Sequence, residues 1–354
     1  MGWIKEKLEK ALELQAGSKL QRFIRIGTWG RQDGDPQEYW SFQLKQHTYL
    51  SKITIGHGAT IYSLTFSSKS KGLLHTSKLV GGWASGHIVS EVTSEASRFL
   101  HSARKVSGWV NGWGSAHKVS EVVLDDDEQI IGINGTIGSR DGKKTISSLS
   151  FLTNKRSHGS FGKTLESRFS LAWEGGSLVG FYGLAGNYVD SIGVFVNAYK
   201  EFIRVGTWGK TKAVGPQNLW SFLLERNHHL KKISINHGDL IYSLMFTTEH
   251  RGLLQNSRMA GGWKLAETTT EVRFDWDEEI HAINGTVGIS RGDDPGCVVI
   301  TSISFLTNKR THGPFGNERG KPFTVSWDDC SFVGFYGAAG WYIDNIGVYL
   351  KATA

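Results

Sequence analysis

An internal repeat constrains this chain more than any other feature of its sequence. The segment 23–30, Phe-Ile-Arg-Ile-Gly-Thr-Trp-Gly, returns with one change at 202–209, and Phe-Leu-Thr-Asn-Lys-Arg at 151–156 returns unchanged at 305–310. Self-similarity of this kind marks repeated structural units. The sequence therefore predicts two tandem domains, a first repeat at 22–199 and a second repeat at 200–354. Each is long enough to bury its own core. Because the join lacks a Gly/Ser/Pro-rich linker, we expect the two to touch.

Short runs of alternating apolar residues fill both repeats. Examples are Ile53 with Ile55, and Tyr62, Leu64 and Phe66, and such runs are separated by Gly, Asn and Asp. Glycine accounts for 44 residues and proline for only 5, which favours tight turns in an ordered chain. Neither repeat contains a helical periodicity. The fold class predicted is all-β, with roughly ten to twelve strands in each domain.

Residues 1–21 differ from everything that follows. Ile4, Leu8 and Leu12 fall at helical spacing, which predicts a short N-terminal helix. A helix of this length is marginal alone, so its apolar face should dock. Two interpretations stay open: an extension packed on its own domain, and a contact that forms a homodimer.

The first repeat carries an insertion, at about 83–113, that is a local duplication. Residues 81–92 are echoed 30 residues later by 111–122. We expect the second copy to form the strand that 268–274 supplies in the second repeat, because it leads directly into Asp125. The first copy would form an extra hairpin, or a strand edge for a partner such as another copy of the chain.

Composition narrows the classes of function. The formal charge is +7, but no block of Lys and Arg marks a nucleic-acid partner. No apolar run is long enough to insert in a membrane. With only Cys297 and Cys330, a disulfide-built scaffold is not expected, although one bridge stays open. The N-terminus lacks the apolar core of a secretory signal, so the expected location is cytoplasmic. His228, His229 and His237 are interpreted as surface histidines, so no metal or cofactor is expected.

Both repeats end on the same unusual stretch. Val-Gly-Phe-Tyr-Gly is followed by Gly-x-Tyr-x-Asp and Ile-Gly-Val, at 179–194 and again at 333–348. This pattern predicts strand, tight loop and strand. The loop offers backbone N–H groups, an aromatic ring and a carboxylate, which suits a ligand dense in hydroxyl groups. The alternative is a plain hairpin turn whose Asp accepts local backbone hydrogen bonds.

Together these segments resemble the jacalin-related lectins. The resemblance covers about 22–354 and rests on the Gly-x-Trp-Gly opening, the Phe-Leu-Thr-Asn-Lys-Arg segment with the following His-Gly-x-Phe-Gly, and the terminal loop. The uncleaved, mannose-binding, tandem plant type fits best. The resemblance implies a β-prism of three four-stranded sheets per domain. It also implies a shallow, metal-free sugar site formed by the first and last hairpin loops.

The resemblance assigns one site to each repeat. An Asp accepts hydrogen bonds from sugar hydroxyls, two loop residues donate backbone N–H groups, and glycines permit the close approach. In the first repeat these residues are Gly34, Gly186, Asn187, Tyr188 and Asp190, and in the second repeat they are Gly215, Gly340, Trp341, Tyr342 and Asp344. Arg31 and Lys210 stand where the family has a second glycine, and either adds a donor or narrows the site.

Some relatives have a second sugar site, with an acidic residue before the Ile-Tyr-Ser-Leu strand. The first repeat has no carboxylate there, at 58–60, whereas the second has Asp239, displaced by one position. Catalysis is not expected, since a glycosidase needs paired carboxylates and each terminal loop supplies one. The resemblance implies a lectin for mannose or glucose, with high-mannose glycans as partners. The alternative is a protein-interaction scaffold with vestigial sugar loops.

Overall fold

The computed structural model describes residues 23–82, 118–165, 167–210, 218–262, 268–291 and 296–353. These residues form β-strands and one short 3-10 turn, Pro36–Glu38, with no α-helix among them. The all-β prediction is confirmed. The helix predicted within 1–21 and the insertion at about 83–113 lie outside the described residues, so the extra hairpin expected there stays a prediction. No helix in the described ranges is long and apolar enough to cross a membrane.

Each repeat contributes the same succession of strands. Those of the first repeat are β1 Ile24–Gly30, β2 Tyr39–Gln43, β3 Tyr49–His57, β4 Ile61–Ser70, β5 Leu73–Thr76, β6 Val80–Gly81, β7 Lys118–Val123, β8 Ile130–Arg140, β9 Lys143–Thr153, β10 Ser157–Gly162, β11 Arg168–Glu174, β12 Gly176–Leu184 and β13 Ser191–Ala198. Those of the second are β14 Ile203–Gly209, β15 Leu219–Leu223, β16 His229–His237, β17 Ile241–His250, β18 Leu253–Asn256, β19 Ala260–Gly261, β20 Thr268–Arg273, β21 Ile280–Ile289, β22 Val298–Thr307, β23 Thr311–Gly316, β24 Lys321–Asp328, β25 Cys330–Ala339 and β26 Ile343–Ala352.

The strands of each repeat pair into three antiparallel groups, as the resemblance implied. In the first repeat the orders are β2-β12-β13-β1, β5-β4-β3-β7 and β10-β9-β8-β11, with the short β6 pairing β4. The second repeat has the same three orders. Strand β7 pairs β3 just as β20 pairs β16. The prediction that the second copy of the duplicated segment fills this strand position is confirmed.

The two repeats do more than touch, because their sheets are continuous. Strand β1 pairs β24 through Ile26 and Trp327, and β11 pairs β14 through Trp173 and Val205. The result is two eight-stranded sheets, and each of them combines one four-stranded group from the first repeat with one from the second. The indole of Trp29 crosses the join and donates to the Thr324 carbonyl at 3.1 Å. Backbone hydrogen bonds across the join hold the repeats at a fixed spacing.

Alternate side chains of the strands build the core. Ile53 and Ile55 on β3 are fully buried, as the alternation predicted. Phe66 on β4 stacks on Phe42 and Phe181, with ring centroids 4.7 and 5.0 Å apart, and this links two sheets of the prism. Buried rings and aliphatic side chains of this kind stabilise the scaffold from which the end loops project.

The Phe-Leu-Thr-Asn-Lys-Arg segment lies at what we call the basal end, where β8 begins and β9 ends. Asn154 fastens the turn before β8: its side chain accepts from the Gln129 N–H at 2.9 Å and donates to the Asp127 carbonyl at 3.0 Å. Lys155 adds ion pairs to Asp125 and Asp127. The terminal Gly-x-Tyr-x-Asp loops lie at the other end of the strands, the apical end.

A buried glutamate, Glu128, lies at the centre of these contacts, which we call the basal clasp. The Glu128 carboxylate accepts from Thr153 Oγ1 at 2.7 Å, contacts His158 Nε2 at 2.8 Å and pairs with Arg156 at 2.9 Å. Burial alone would raise the pKa of Glu128, but its hydrogen bonds and the Arg156 charge lower that pKa to about 2. The motif that helped to carry the family resemblance is therefore structural.

The second repeat builds the same clasp. Glu278 is bonded to Thr307 Oγ1 and His312 Nε2, both at 2.8 Å, and to Arg310 Nη2 at 2.7 Å. Burial opposes ionisation here too, yet hydrogen bonds from these side chains lower the pKa of Glu278 to about 2.

Candidate carbohydrate-binding site

The Gly-x-Tyr-x-Asp loop of the first repeat joins β12 to β13 at the apical end, as strand, loop and strand were predicted. Inside the loop, the Gly186 N–H donates to the Tyr188 carbonyl at 3.0 Å. Val189 ties the loop to both neighbouring sheets, because its N–H donates to Ile61 and its carbonyl accepts from Ile146, at 3.1 and 2.9 Å. The backbone of the loop is thus held firmly in place.

The first hairpin loop packs directly against this terminal loop. A Cβ added to Gly34 would lie 2.7 Å from Leu184 Cδ2 and 2.9 Å from Glu38 Oε2, so a larger residue there would have to push one of these side chains aside. The 3-10 turn that follows presents the Glu38 carbonyl to the Ala185 N–H at 2.8 Å. Gly34 and the predicted residues of 186–190 therefore lie together at one end of the prism.

Two charged side chains cover the predicted carboxylate. Arg31 Nη2 lies 3.0 Å from Asp190 Oδ2 and 2.7 Å from Glu38 Oε2, so one guanidinium bridges two carboxylates. The Asp190 side chain is only 5% exposed. Burial raises the pKa of Asp190 to about 6, with Arg31 opposing the rise and the Glu38 charge adding to it. The sequence left two roles for Arg31: adding a hydrogen-bond donor for the sugar, or narrowing the site. The geometry favours the second, because Arg31 is already paired with the carboxylate that the sugar would use.

Glu38 also reaches over the loop. Its Oε1 lies 3.6 Å from the position that a Cβ on Gly186 would take. Lys143 Nζ is 3.7 Å from the same carboxylate, which places a second cation on the outer side of Glu38. Where a sugar hydroxyl would approach Asp190, the first repeat therefore has Arg31 and Glu38.

The loop of the second repeat has the same backbone but different surroundings. The Gly340 N–H donates to the Tyr342 carbonyl at 3.0 Å, and the Lys210 N–H donates to the Asp344 carbonyl at 3.0 Å. Trp341 is 63% exposed, whereas Tyr342 is buried. A Cβ on Gly340 would meet no heavy atom of the described residues within 4 Å. Gly215, the first-loop match, lies outside the described residues.

The second repeat has different residues at the positions of Arg31 and Glu38, the two side chains that cover Asp190 in the first repeat. Alignment of Trp40 with Trp220 puts Asn218 at the position of Glu38, and Lys210 at that of Arg31. An ion pair such as Arg31–Glu38 cannot form between Lys210 and Asn218, because an amide side chain carries no charge.

A glycine of a neighbouring loop lies against each terminal loop. A Cβ on Gly262 would lie 2.7 Å from Trp341 Cα, and one on Gly81 would lie 3.3 Å from the Tyr188 carbonyl carbon. Only residues without a side chain permit this contact. Tyrosine rings continue the rim, with Tyr62 and Tyr188 centroids 5.9 Å apart.

The other candidate sites are less developed. Asp239 Oδ2 lies 3.5 Å from Arg319 Nη1 and its side chain is exposed. The first repeat has Ala59 at the matching position, and the next residue, Thr60, donates to the Ile146 carbonyl at 2.6 Å. His237 is structural, since it contacts Thr270 Oγ1 at 2.8 Å and accepts from the Gly316 N–H at 3.4 Å. Within the ranges that the structure describes, no cluster of three or more His, Cys, Asp or Glu could hold a metal ion.

Sequence reasoning missed Glu38 as a site residue. The pattern Asp35-Pro-Gln-Glu38 is a capping signature, and the Asp35 N–H does donate to Glu38 Oε2 at 2.9 Å. That signal predicts the short turn. Together with the positive charge of Arg31 seven residues earlier, this glutamate could have indicated an ion pair in the first hairpin loop.

Comparison with known proteins gives a consistent result. The family model of the jacalin-like lectin domain matches residues 87–195 and 205–349. A mannose/glucose-specific lectin of Parkia pendula is 30% identical over 334 residues, covering 93% of this chain and 65% of the relative. An agglutinin of Castanea crenata is 28% identical and is covered over 99% of its length. The solved wild-type Malaysian banana lectin is 31% identical, with a TM-score of 0.36 over 42% of this chain and 98% of its own.

The chain belongs to the jacalin-like lectin domain family, because the family match covers most of its length in two copies. The resemblance inferred from the motifs is confirmed, and membership of a lectin family agrees with the prediction of binding without catalysis. The chain spans about two thirds, 65%, of the length of the Parkia pendula lectin.

Proposed function

We propose that this protein is a metal-independent lectin for mannose and glucose that recognises high-mannose glycans through apical loops. The observation that carries the proposal is the loop 340–344 of the second repeat. It combines an exposed indole, an open glycine and the Asp344 carboxylate on one rigid turn. A carboxylate accepts strong hydrogen bonds from two sugar hydroxyls, and an aromatic ring packs on the apolar face of a pyranose. Relatives named as mannose/glucose-specific lectins support the sugar class.

The two repeats are proposed to differ in strength. In the first repeat a sugar must displace Arg31 from Asp190, whereas the second repeat presents an exposed Trp341 and a Gly340 whose added Cβ would meet no heavy atom of the described residues within 4 Å. The site of the second repeat is therefore proposed as the principal one, with the first repeat as a weak site.

Asp344→Asn should lower the affinity for α-methyl mannoside by roughly ten- to a hundred-fold. Asparagine keeps the shape but loses the charge and one acceptor, and a charge-assisted hydrogen bond is worth about 1.5–3 kcal/mol. Titration calorimetry with and without EDTA measures this, and the chelator should change nothing. Asp126→Asn is the matched control, since it removes an exposed carboxylate at the basal end of the first repeat, away from both terminal loops. Equal affinity in Asp344→Asn and the natural chain would contradict the assignment.

Removing the charged cover should create binding in the first repeat. In an Asp344→Asn background, Arg31→Gly with Glu38→Ala uncovers Asp190 and removes the neighbouring carboxylate that raises its pKa. We expect at least a ten-fold gain in mannoside affinity over the same background without these changes. Lys210→Gly, at the position matching Arg31, is the control and should have little effect. No gain in calorimetry would show that Arg31 does not close the site.

A further inference from the structure

The basal end of the second repeat carries an open groove that the apical loops do not explain. It has a volume of about 1000 Å³. It is lined by the turn before β21, by the turn before β16 and by the residues at the join between the two repeats. Trp276, on the first of these turns, is 82% exposed. An indole with most of its surface in water, on a basal turn, has no role in the core.

The turn that carries Trp276 is held on both sides. The Glu278 N–H donates to the Asp275 carbonyl at 3.2 Å, and Lys309 pairs with Asp275 and Asp277, which flank the tryptophan. Asn308 donates to the Asp277 carbonyl at 2.9 Å. Because the clasp around Glu278 anchors this turn, the indole stands on a preorganised backbone, which reduces the entropy lost on binding.

The first repeat offers an internal comparison. Its matching turn has Asp126 in place of Trp276, and that carboxylate contacts Tyr49 Oη at 3.4 Å and Lys69 Nζ at 3.5 Å. The space there measures only about 300 Å³. In the second repeat, the positions of Tyr49 and Lys69 are taken by His229 and Glu249. The same scaffold thus carries a small groove in the first repeat and a larger one in the second.

The chemistry of the groove indicates its ligand. Leu223, 41% exposed, and Trp276 offer apolar surface, while His229, Asn227 and Glu279 offer hydrogen-bonding groups along the same wall. Acidic side chains outnumber basic ones in the lining, so phosphates and acidic sugars are disfavoured. A long, open groove with an exposed indole and polar walls suits a neutral chain of sugar units better than a compact metabolite.

We propose that this groove is a basal carbohydrate site of the second repeat, in which a pyranose ring of a neutral oligosaccharide stacks on Trp276. The site is separate from the apical loops of the proposed function, which lie at the other ends of the same strands. One repeat would then bind glycans at both ends of its prism and could bridge two glycan chains by itself.

The test uses the full-length chain with Asp190→Asn and Asp344→Asn, so that the apical sites are silenced. The indole N–H resonance of Trp276 is followed by NMR during titration with mannotetraose, cellotetraose and xylotetraose, and with a lysine-rich peptide as a comparison. At least one tetrasaccharide should shift this resonance in a saturable way. Trp276→Asp, which installs the residue of the first repeat, should weaken that binding at least ten-fold, whereas Trp276→Phe should stay within about three-fold.

Binding of the tetrasaccharide is followed in the variants by calorimetry. A Trp276 resonance that no tetrasaccharide moves, or that only the peptide moves, overturns the proposal, as does equal binding by Trp276→Asp. The natural chain titrated with α-methyl mannoside reports the apical site independently through the Trp341 resonance. Failure of the basal site is therefore distinguishable from failure of the proposed function.

Discussion

Glu278→Ala should lower the free energy of unfolding by about 3–5 kcal/mol, the usual cost of removing one partner of a buried ion pair. The side chain of Glu278 has no exposed surface and is the shared acceptor for Arg310, His312 and Thr307. Its loss removes the acceptor that the three side chains share, and Arg310 keeps only Asp275 at 3.3 Å, while Thr307 keeps the Arg310 carbonyl at 2.9 Å. The adjacent Glu279 is exposed, so Glu279→Ala is the matched control and should change stability by less than about 0.5 kcal/mol. Urea unfolding at pH 7 compares the three chains.

The same clasp predicts how stability depends on pH. The pKa of Glu278 is lowered to about 2 from an ordinary value of 4.5, so the folded state binds its proton less readily than the unfolded state. The stabilisation, roughly 3 kcal/mol at that shift, is fully present above about pH 5 and is lost as the pH falls towards 2. Glu278→Gln should flatten this acid limb. Parallel pH profiles for the variant and the natural chain, or a Glu278→Ala chain as stable as Glu279→Ala, would contradict the role of the clasp.

Periodic features were predictable from the sequence because they repeat. Alternation at Ile53 and Ile55 indicates a strand with one buried face, and the doubled segment 81–92 and 111–122 indicates which copy belongs to the sheet. The convergence of Gly34 with 186–190 was available only through the family resemblance. Their use in sugar binding stays a prediction.

Features that depend on contacts between distant side chains were not predictable. At the join, the edge strand β1 of the first repeat pairs with the edge strand β24 of the second. Other edge strands of the two repeats have similar sequences and could pair equally well, so the sequence does not specify which of them meet. The cover over Asp190 needs Arg31, Glu38 and the terminal loop to meet at the right angles, which no local pattern specifies. The basal clasp was not predictable for the same reason. Thr153, Arg156 and His158 contact Glu128, which lies about 25–30 residues earlier in the chain.

The double variant Arg31→Gly with Glu38→Ala, which uncovers Asp190 in the first repeat, should bind a dense high-mannose surface about 10²-fold or more tightly than the natural chain. When two sites on one chain reach the same surface, the second binding event becomes intramolecular, and the gain is typically 10²–10⁴-fold without any new contact. The continuous sheets hold the two apical loops at a fixed spacing, so little of this gain is lost to a mobile linker. With Arg31 on Asp190, the natural first site is proposed to be too weak to contribute.

Surface plasmon resonance on a densely immobilised high-mannose glycoprotein measures this gain, and calorimetry with free α-methyl mannoside measures the sites one by one. The affinity of the second-repeat site for free mannoside should stay within a few-fold of its natural value, because Arg31 and Glu38 lie in the other repeat. Adding Asp190→Asn to the opened chain is the decisive control, since it keeps the uncovered loop but removes its acceptor, and surface binding should return to the natural level. A surface affinity that does not rise on opening, or that survives Asp190→Asn, would mean that the paired repeats do not act together on displayed glycans.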